Sequence, residues 1–297
     1  MGKAFYDQCE ESKAVYRRAS VKLGFDVAAL CFEGPAEALT RTETCQAALF
    51  VTSLAAFEAF ARTAAHALKP VVAAGLSLGE LTALAAAKVF SFDDGCYLVK
   101  ARSEAMAQCA AEQPGAMLAL VGLSGETVAS ICEQSATTGA NYNAPDQIVL
   151  SGTVAAIGKA EVLAKAAGAK RAVRLEVTGA FHSVLMQPAA IQFERALARI
   201  LLRPPLFPVI SNATAQLTLD PEEIRRLLIR QITSPVLWEP SMRALIQQGA
   251  THAIEFPPAR VLTGLLRRID SAVKGIPIDA PEDFSKLSAL LNAPTTA

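Results

Sequence analysis

The sequence has no excess of either charge. Its 297 residues carry 28 Lys plus Arg against 28 Asp plus Glu, so a nucleic acid, which needs a basic surplus to neutralise phosphates, is not its main partner. It has no Cys-x-x-Cys pair. The six cysteines, Cys9, Cys31, Cys45, Cys96, Cys109 and Cys132, lie at no metal-ligand spacing from a histidine, which excludes a cysteine-based metal site and leaves free thiols of a reducing, cytoplasmic compartment. It lacks an uninterrupted apolar run of membrane-spanning length. The longest candidate, residues 47–68, is broken by Glu58, Arg62 and His66, and the polar start MGKAFYDQCEE is no signal peptide. Low-complexity segments and internal repeats are absent. Histidine is scarce, at three residues, so any histidine chemistry must come from His66, His182 or His252.

What is present is apolar. About half the residues are hydrophobic, enough for a sizeable core. Apolar positions three and four apart predict helices over 3–22 and 42–68. KPVVAAG (69–75) reads as a short buried strand, and helices follow over 78–88 and 92–111. Between 116 and 178 the rhythm changes: strand, helix, two strands around APD, helix, strand. That β-α-β-β-α-β order is the ferredoxin-like pattern. Residues 113–178 are therefore expected to form a small subdomain inserted into a larger α/β unit made of 1–112 and 179–297. In the second part, helices are expected over 184–201, 221–232, 240–248 and 259–269, with strands at 207–211 and 253–256. Alternating strands and helices predict a mostly parallel sheet covered on both faces.

Gly75-Leu76-Ser77-Leu78-Gly79 is a G-x-S-x-G motif. Chance alone would supply it in roughly one chain in ten of this length, so its context decides. An apolar run precedes it and an Ala/Leu helix follows, the strand–turn–helix setting that exposes a nucleophilic serine. The helix N-terminus aims free N–H groups at a developing oxyanion. A serine of ordinary pKa needs a base. His66 reads as a packing or surface residue and His252 as a structural one. His182 stands on the irregular segment TGAFHS, where binding and catalytic groups concentrate. Arg102 becomes a functional candidate only for a substrate that carries a carboxylate.

The stretches AGLSLGELTALAAAKVFSFDDGCYLVKAR, NYNAPDQIVLSG, GAFHSVLM, RQITSPVLW and RVLTGLLRRI, in this order, resemble the malonyl-CoA:acyl-carrier-protein transacylase family and the acyltransferase domains of polyketide synthases. The resemblance implies an α/β-hydrolase-like large domain with a ferredoxin-like insert. It implies Ser77 as nucleophile, His182 as base, and the backbone N–H of Leu78 as an oxyanion donor. It further implies Arg102 as the grip on the malonyl carboxylate, Asn143 as a polar residue of the acyl pocket, and the Gln231 carbonyl as the group that orients the histidine. In polyketide relatives an Ala-Phe-His sequence goes with malonyl units, which makes Phe181 a size gate. Malonyl-CoA and an acyl carrier protein are the implied partners. No metal or redox cofactor is implied, and the expected state is a monomer. An acyl hydrolase and a non-catalytic carrier-protein-binding scaffold are the rival readings. Two departures stand out. Leu76 occupies a position where the family usually has histidine. The match begins at the helix that follows the family's first strand and its glutamine-bearing loop, so that strand and the second oxyanion donor are expected to be missing, with the true start lying upstream.

Overall fold

The computed structural model describes residues 1–63 and 70–287. His66, Lys69 and the end of the helix expected over 42–68 lie outside the described residues. The chain opens with α1 (Lys3–Gln8), α2 (Glu10–Leu23), α3 (Val27–Glu33), α4 (Ala36–Thr40) and α5 (Thr42–Thr63). The single helix expected over 3–22 is broken at Cys9, whose backbone is extended. A helix not anticipated, α3, starts where the Asp26 carboxylate accepts the Ala29 N–H, and it stops at Gly34 before Pro35. Those are ordinary start and stop signals.

α5 is long and apolar enough to cross a membrane by composition alone. Instead it is the central helix of the largest core cluster. Phe50, Val51, Leu54 and Ala55 are buried among α2, α6 (Leu78–Ala86) and α7 (Phe92–Glu112). Fully burying one such large side chain contributes about 1.5–3 kcal/mol.

The 115–174 stretch holds β1 (Gly115–Val121), α8 (Gly125–Ser135), β2 (Thr138–Ala144), β3 (Gln147–Thr153), α9 (Val154–Ala166) and β4 (Arg171–Arg174). They follow the expected order. The four strands form one sheet in the spatial order β2-β3-β1-β4, antiparallel at every pairing. α8 and α9 pack on one face over Leu118, Leu120, Ile148 and Leu150. The remaining elements are α10 (Gln187–Leu197), β5 (Val209–Ile210), β6 (Leu217–Thr218), α11 (Pro221–Gln231), α12 (Trp238–Gln247), β7 (His252–Glu255), α13 (Val261–Ile269) and β8 (Lys274–Pro277).

The expectation of a mostly parallel sheet is corrected. The main sheet is antiparallel because β2 and β3 are joined by the two-residue turn Pro145-Asp146, a connection that only antiparallel neighbours accept. Among the described residues, parallel pairing between strands is limited to β7 with β8, with single bridges at Ala73–Val209 and Asn141–Val236. The strand expected at 69–75 contracts to the Ala73 bridge. Ala73 N–H donates to the Pro208 carbonyl, and its own carbonyl accepts from Ile210. That short junction fixes the segment that leads into Ser77.

Candidate active site

Ser77 is the residue before α6 and has φ 52° and ψ −105°, a conformation L-residues avoid unless the surroundings enforce it. Here they do. Ser77 N–H donates to Asn212 Oδ1 at 2.6 Å, and Asn212 Nδ2 donates to the Gly75 carbonyl at 2.8 Å. The Ser77 carbonyl accepts from Gln231 Nε2 at 3.0 Å and from the Glu80 N–H at 3.2 Å. One asparagine side chain therefore brackets the turn, and a glutamine side chain locks it from the other side.

Gly75 is required by close approach. A Cβ there would stand 2.0 Å from the Gly79 carbonyl oxygen. The obstacle is main chain and cannot rotate away. Gly75→Ala is expected to lose about 3 kcal/mol or more of stability, the upper range for overpacking, read as a lowered urea midpoint. A wild-type midpoint would show that the turn opens without strain.

The Ser77 hydroxyl lies 2.8 Å from His182 Nε2, and the Gln231 main-chain carbonyl lies 2.9 Å from His182 Nδ1. A proton on Nδ1, donated to that carbonyl, leaves the Nε2 lone pair facing the serine. Burial, followed by the nearby Arg102 charge, pushes the imidazole pKa down to about 4, against the backbone bonds at Gln231 and Ser234. The ring is thus neutral at pH 7 and able to accept a proton.

Arg102, on α7, is 1% exposed. Its Nη2 donates to Ser77 Oγ at 3.1 Å and to Gln231 Oε1 at 2.9 Å, and its Nη1 donates to Gln46 Oε1. Burial lowers its pKa to about 10, with Glu80 acting in the opposite sense, so it stays charged at neutral pH. Base and cation converge on one hydroxyl oxygen. The N–H of Leu78, at the first position of α6, has no intrahelical acceptor.

The acyl transferase domain family matches residues 1–277 of the chain. A malonyl CoA-acyl carrier protein transacylase from Bacillus subtilis (strain 168) is 39% identical over 287 residues, covering 95% of this chain and 90% of the relative. The chain belongs to the malonyl CoA-acyl carrier protein transacylase family. A solved structure of the acyl-carrier-protein S-malonyltransferase from Bartonella henselae aligns with a TM-score of 0.94 at 36% identity, over 99% of this chain and 95% of that one. A malonyl-transacylase in complex with its type II polyketide acyl-carrier protein aligns with a TM-score of 0.93 at 33% identity, over 96% and 93% of the two chains.

In this transacylase-family chain, Ser77, Arg102, His182 and Gln231 are joined by direct hydrogen bonds. Phe181 is next to His182, half-buried, with its ring against Gly179, where a Cβ would meet it at 2.5 Å. Asn143 stands apart near the end of β2. It is buried, and its Oδ1 has no hydrogen-bond partner among the described residues. His252 begins β7 and bonds to its neighbour Thr251. Three further residues belong to the network and were not singled out from the sequence: Gln46 on α5, Asn212 after β5, and Glu80 on α6. Glu80 carried a signal, as a lone carboxylate in an Ala/Leu helix three residues after a serine. The capping-box reading of that spacing does not apply here, because the Ser77 N–H is taken by Asn212.

Proposed function

We propose that the chain transfers a malonyl group from coenzyme A to the phosphopantetheine thiol of an acyl carrier protein, for fatty-acid or polyketide synthesis, through a Ser77 acyl-enzyme. The observation that carries this reading is the 2.8 Å Ser77–His182 contact with a buried guanidinium 3.1 Å from the same oxygen. Ser77 Oγ attacks the thioester carbonyl while His182 Nε2 takes its proton. The Leu78 N–H, with the partial positive charge of the α6 N-terminus, steadies the oxyanion. The carbon–sulfur bond breaks, and His182 returns the proton to the leaving thiolate. A carrier-protein thiol then gives its proton to His182 and attacks the ester; the ester carbon–oxygen bond breaks, and His182 returns the proton to Ser77 Oγ. Acyl transfer changes no oxidation state, so no redox cofactor is needed.

Arg102 holds the malonyl carboxylate in this scheme. Three of its five N–H groups bond to described residues, and the others are free to take a carboxylate. Asn143 offers the acyl pocket an unsatisfied oxygen. Phe181 limits the space beside the α-carbon. Phe181→Ser is expected to raise the methylmalonyl-to-malonyl rate ratio by about tenfold, the effect of one methyl-sized fit in an apolar pocket. Steady-state rates with both thioesters measure it, and an unchanged ratio removes the ring as the gate.

The division into a large α/β-hydrolase-like part (1–112 and 179–297) and a ferredoxin-like insert (113–178) belongs to this proposal. It is supported by the strand order β2-β3-β1-β4 and by the separate core of that insert. So do a monomeric state and a cytoplasmic location, the location supported by six free thiols. A hydrolase for neutral acyl chains would have no use for a buried guanidinium beside its nucleophile. The deciding experiment is intact-protein mass spectrometry after malonyl-CoA, followed by holo carrier protein. A malonyl adduct that the carrier protein discharges supports transfer. An adduct lost to water at the same rate with or without the carrier protein would make the chain a hydrolase.

A further inference from the structure

Glu80 is 3% exposed and none of the catalytic steps above uses it. Its Oε2 accepts two hydrogen bonds, from Gln231 Nε2 at 2.7 Å and from the Asn212 N–H at 3.0 Å. Each donor governs a different part of the site. Asn212 brackets the Ser77 turn through its side chain. Gln231 presents its main-chain carbonyl to His182 and its Oε1 to Arg102. The Gln231 amide therefore lies between a cation and a carboxylate, with its oxygen towards Arg102 and its nitrogen towards Glu80. That is the orientation its dipole favours.

We infer that Glu80 is a positioning residue, a buried carboxylate whose single oxygen ties the Ser77 turn to the Gln231 side chain and so holds nucleophile, base and guanidinium in one register. The inference rests on the proposed transacylase reading for what the site does, and on hydrogen bonds alone for how it is held. No side chain other than Glu80 bridges Asn212 and Gln231 among the described residues, and the carboxylate sits in the first turn of α6, three residues after the serine that precedes that helix. A shift of the elbow therefore carries Glu80 with it, and with Glu80 the group that aligns the base.

The charge state matters as well. Burial raises the Glu80 carboxyl pKa to about 7, against the bonds from Asn212 and Gln231, the charge of Arg102 and the bond from the Ser211 side chain. The charged group facing it is Arg102 from α7. Gln231 from α11, and Asn212 and Ser211 after β5, are uncharged, and His182, joined to it through Gln231, is held neutral. Protonation at Oε1 leaves both hydrogen bonds on Oε2 but removes the anion that polarises the Gln231 amide. Protonated Glu80 and a glutamine at this position are then near equivalents.

The test compares wild type with Glu80→Gln and Glu80→Ala by two readouts: the acylation rate with malonyl-CoA, and labelling of Ser77 by a fluorophosphonate. The label needs only the nucleophile and base. Ser77 Oγ bonds to phosphorus, fluoride leaves, and His182 takes the proton. A wild-type protein that labels but is not malonylated would overturn the transacylase reading and leave the Glu80 test standing. Glu80→Ala is expected to slow both readouts by about tenfold to a hundredfold, the consequence of displaced reacting groups, with the KM for malonyl-CoA changed less than kcat. Glu80→Gln, which keeps the acceptor and folds in the same space, is expected to lose only a few-fold. Between pH 5 and 8 the wild-type labelling rate should step down to the Glu80→Gln level as pH falls through about 7, whereas the variant stays flat. A folded Glu80→Ala that labels at the wild-type rate, or a Glu80→Gln that keeps the wild-type pH step, would reduce Glu80 to a packing role. If Glu80→Ala does not fold, the pH comparison with Glu80→Gln decides alone.

Discussion

Ser77→Ala is expected to remove the malonyl adduct and to lower transfer by on the order of a millionfold, as nucleophile deletion does in other serine enzymes. The substitution takes away one oxygen and leaves the elbow standing. The turn is held by main-chain bonds: Ser77 N–H to Asn212, and the Ser77 carbonyl to Gln231 and to the Glu80 N–H. Alanine makes all of them. The strain at φ 52° is already borne by a residue with a Cβ, so alanine adds none. The lost contacts are one hydrogen bond from Arg102 and one with His182, each about 1–2 kcal/mol at most. The variant should therefore melt within several degrees of wild type while showing no covalent adduct by intact-protein mass spectrometry. An adduct at full yield would move the nucleophile elsewhere. A collapsed fold would mean that the hydroxyl, not the main chain, holds the turn.

The elbow was legible in the sequence because everything that defines it is local. An apolar run, a Gly that must admit the Gly79 carbonyl, a serine and an Ala/Leu helix all fall between residues 69 and 88. Its partner was harder to place. His182 is 105 residues from Ser77, and only the scarcity of histidine and the irregular TGAFHS segment singled it out. The group that orients it is a main-chain carbonyl, which no residue type announces. Gln231 could be assigned only by resemblance. Glu80, Gln46 and Asn212 are not assigned from the sequence, because a polar residue in an apolar helix or beside a short strand has the same appearance whether it faces water or a buried network.

The misread parts of the fold follow the same logic. Alternating strands and helices in the larger unit predict a mostly parallel sheet, yet the largest sheet is the antiparallel β2-β3-β1-β4 of residues 115–174, where a two-residue turn pairs β2 with β3, and parallel strand pairing among the described residues is limited to β7 with β8. The strand before the nucleophile was recognised as apolar, but Pro70 and Pro208 flank its contact with β5 and reduce it to one bridge. The break at Cys9 has neither Gly nor Pro to mark it.

Arg102→Ala is expected to exchange specificity rather than abolish chemistry. The guanidinium takes no proton from Ser77. Its role in the proposed mechanism is to meet a carboxylate that acetyl-CoA lacks. Removing one partner of a buried charged pair costs about 3–5 kcal/mol, so malonyl kcat/KM should fall by about two to four powers of ten, at about 1.4 kcal/mol for each tenfold. Acetyl transfer should hold or rise, because acetyl-CoA carries no carboxylate for the guanidinium to meet. Stability should fall too: Gln46 Oε1 and Gln231 Oε1 lose their donor, and Glu80 loses the cation that faces it. The carboxyl pKa of Glu80 then rises further, since the Arg102 charge was lowering it. Its ionisation in the folded state becomes less favourable, and because the raised value favours the protonated fold, the variant should lose stability as pH climbs from the ordinary carboxylate range through the folded pKa. Paired malonyl and acetyl kinetics, with melting at pH 6 and pH 8, measure both effects. Equal losses for the two thioesters would remove Arg102 from the substrate site. A melting difference between the two pH values no larger than that of wild type would mean that Arg102 and Glu80 do not share charge through Gln231.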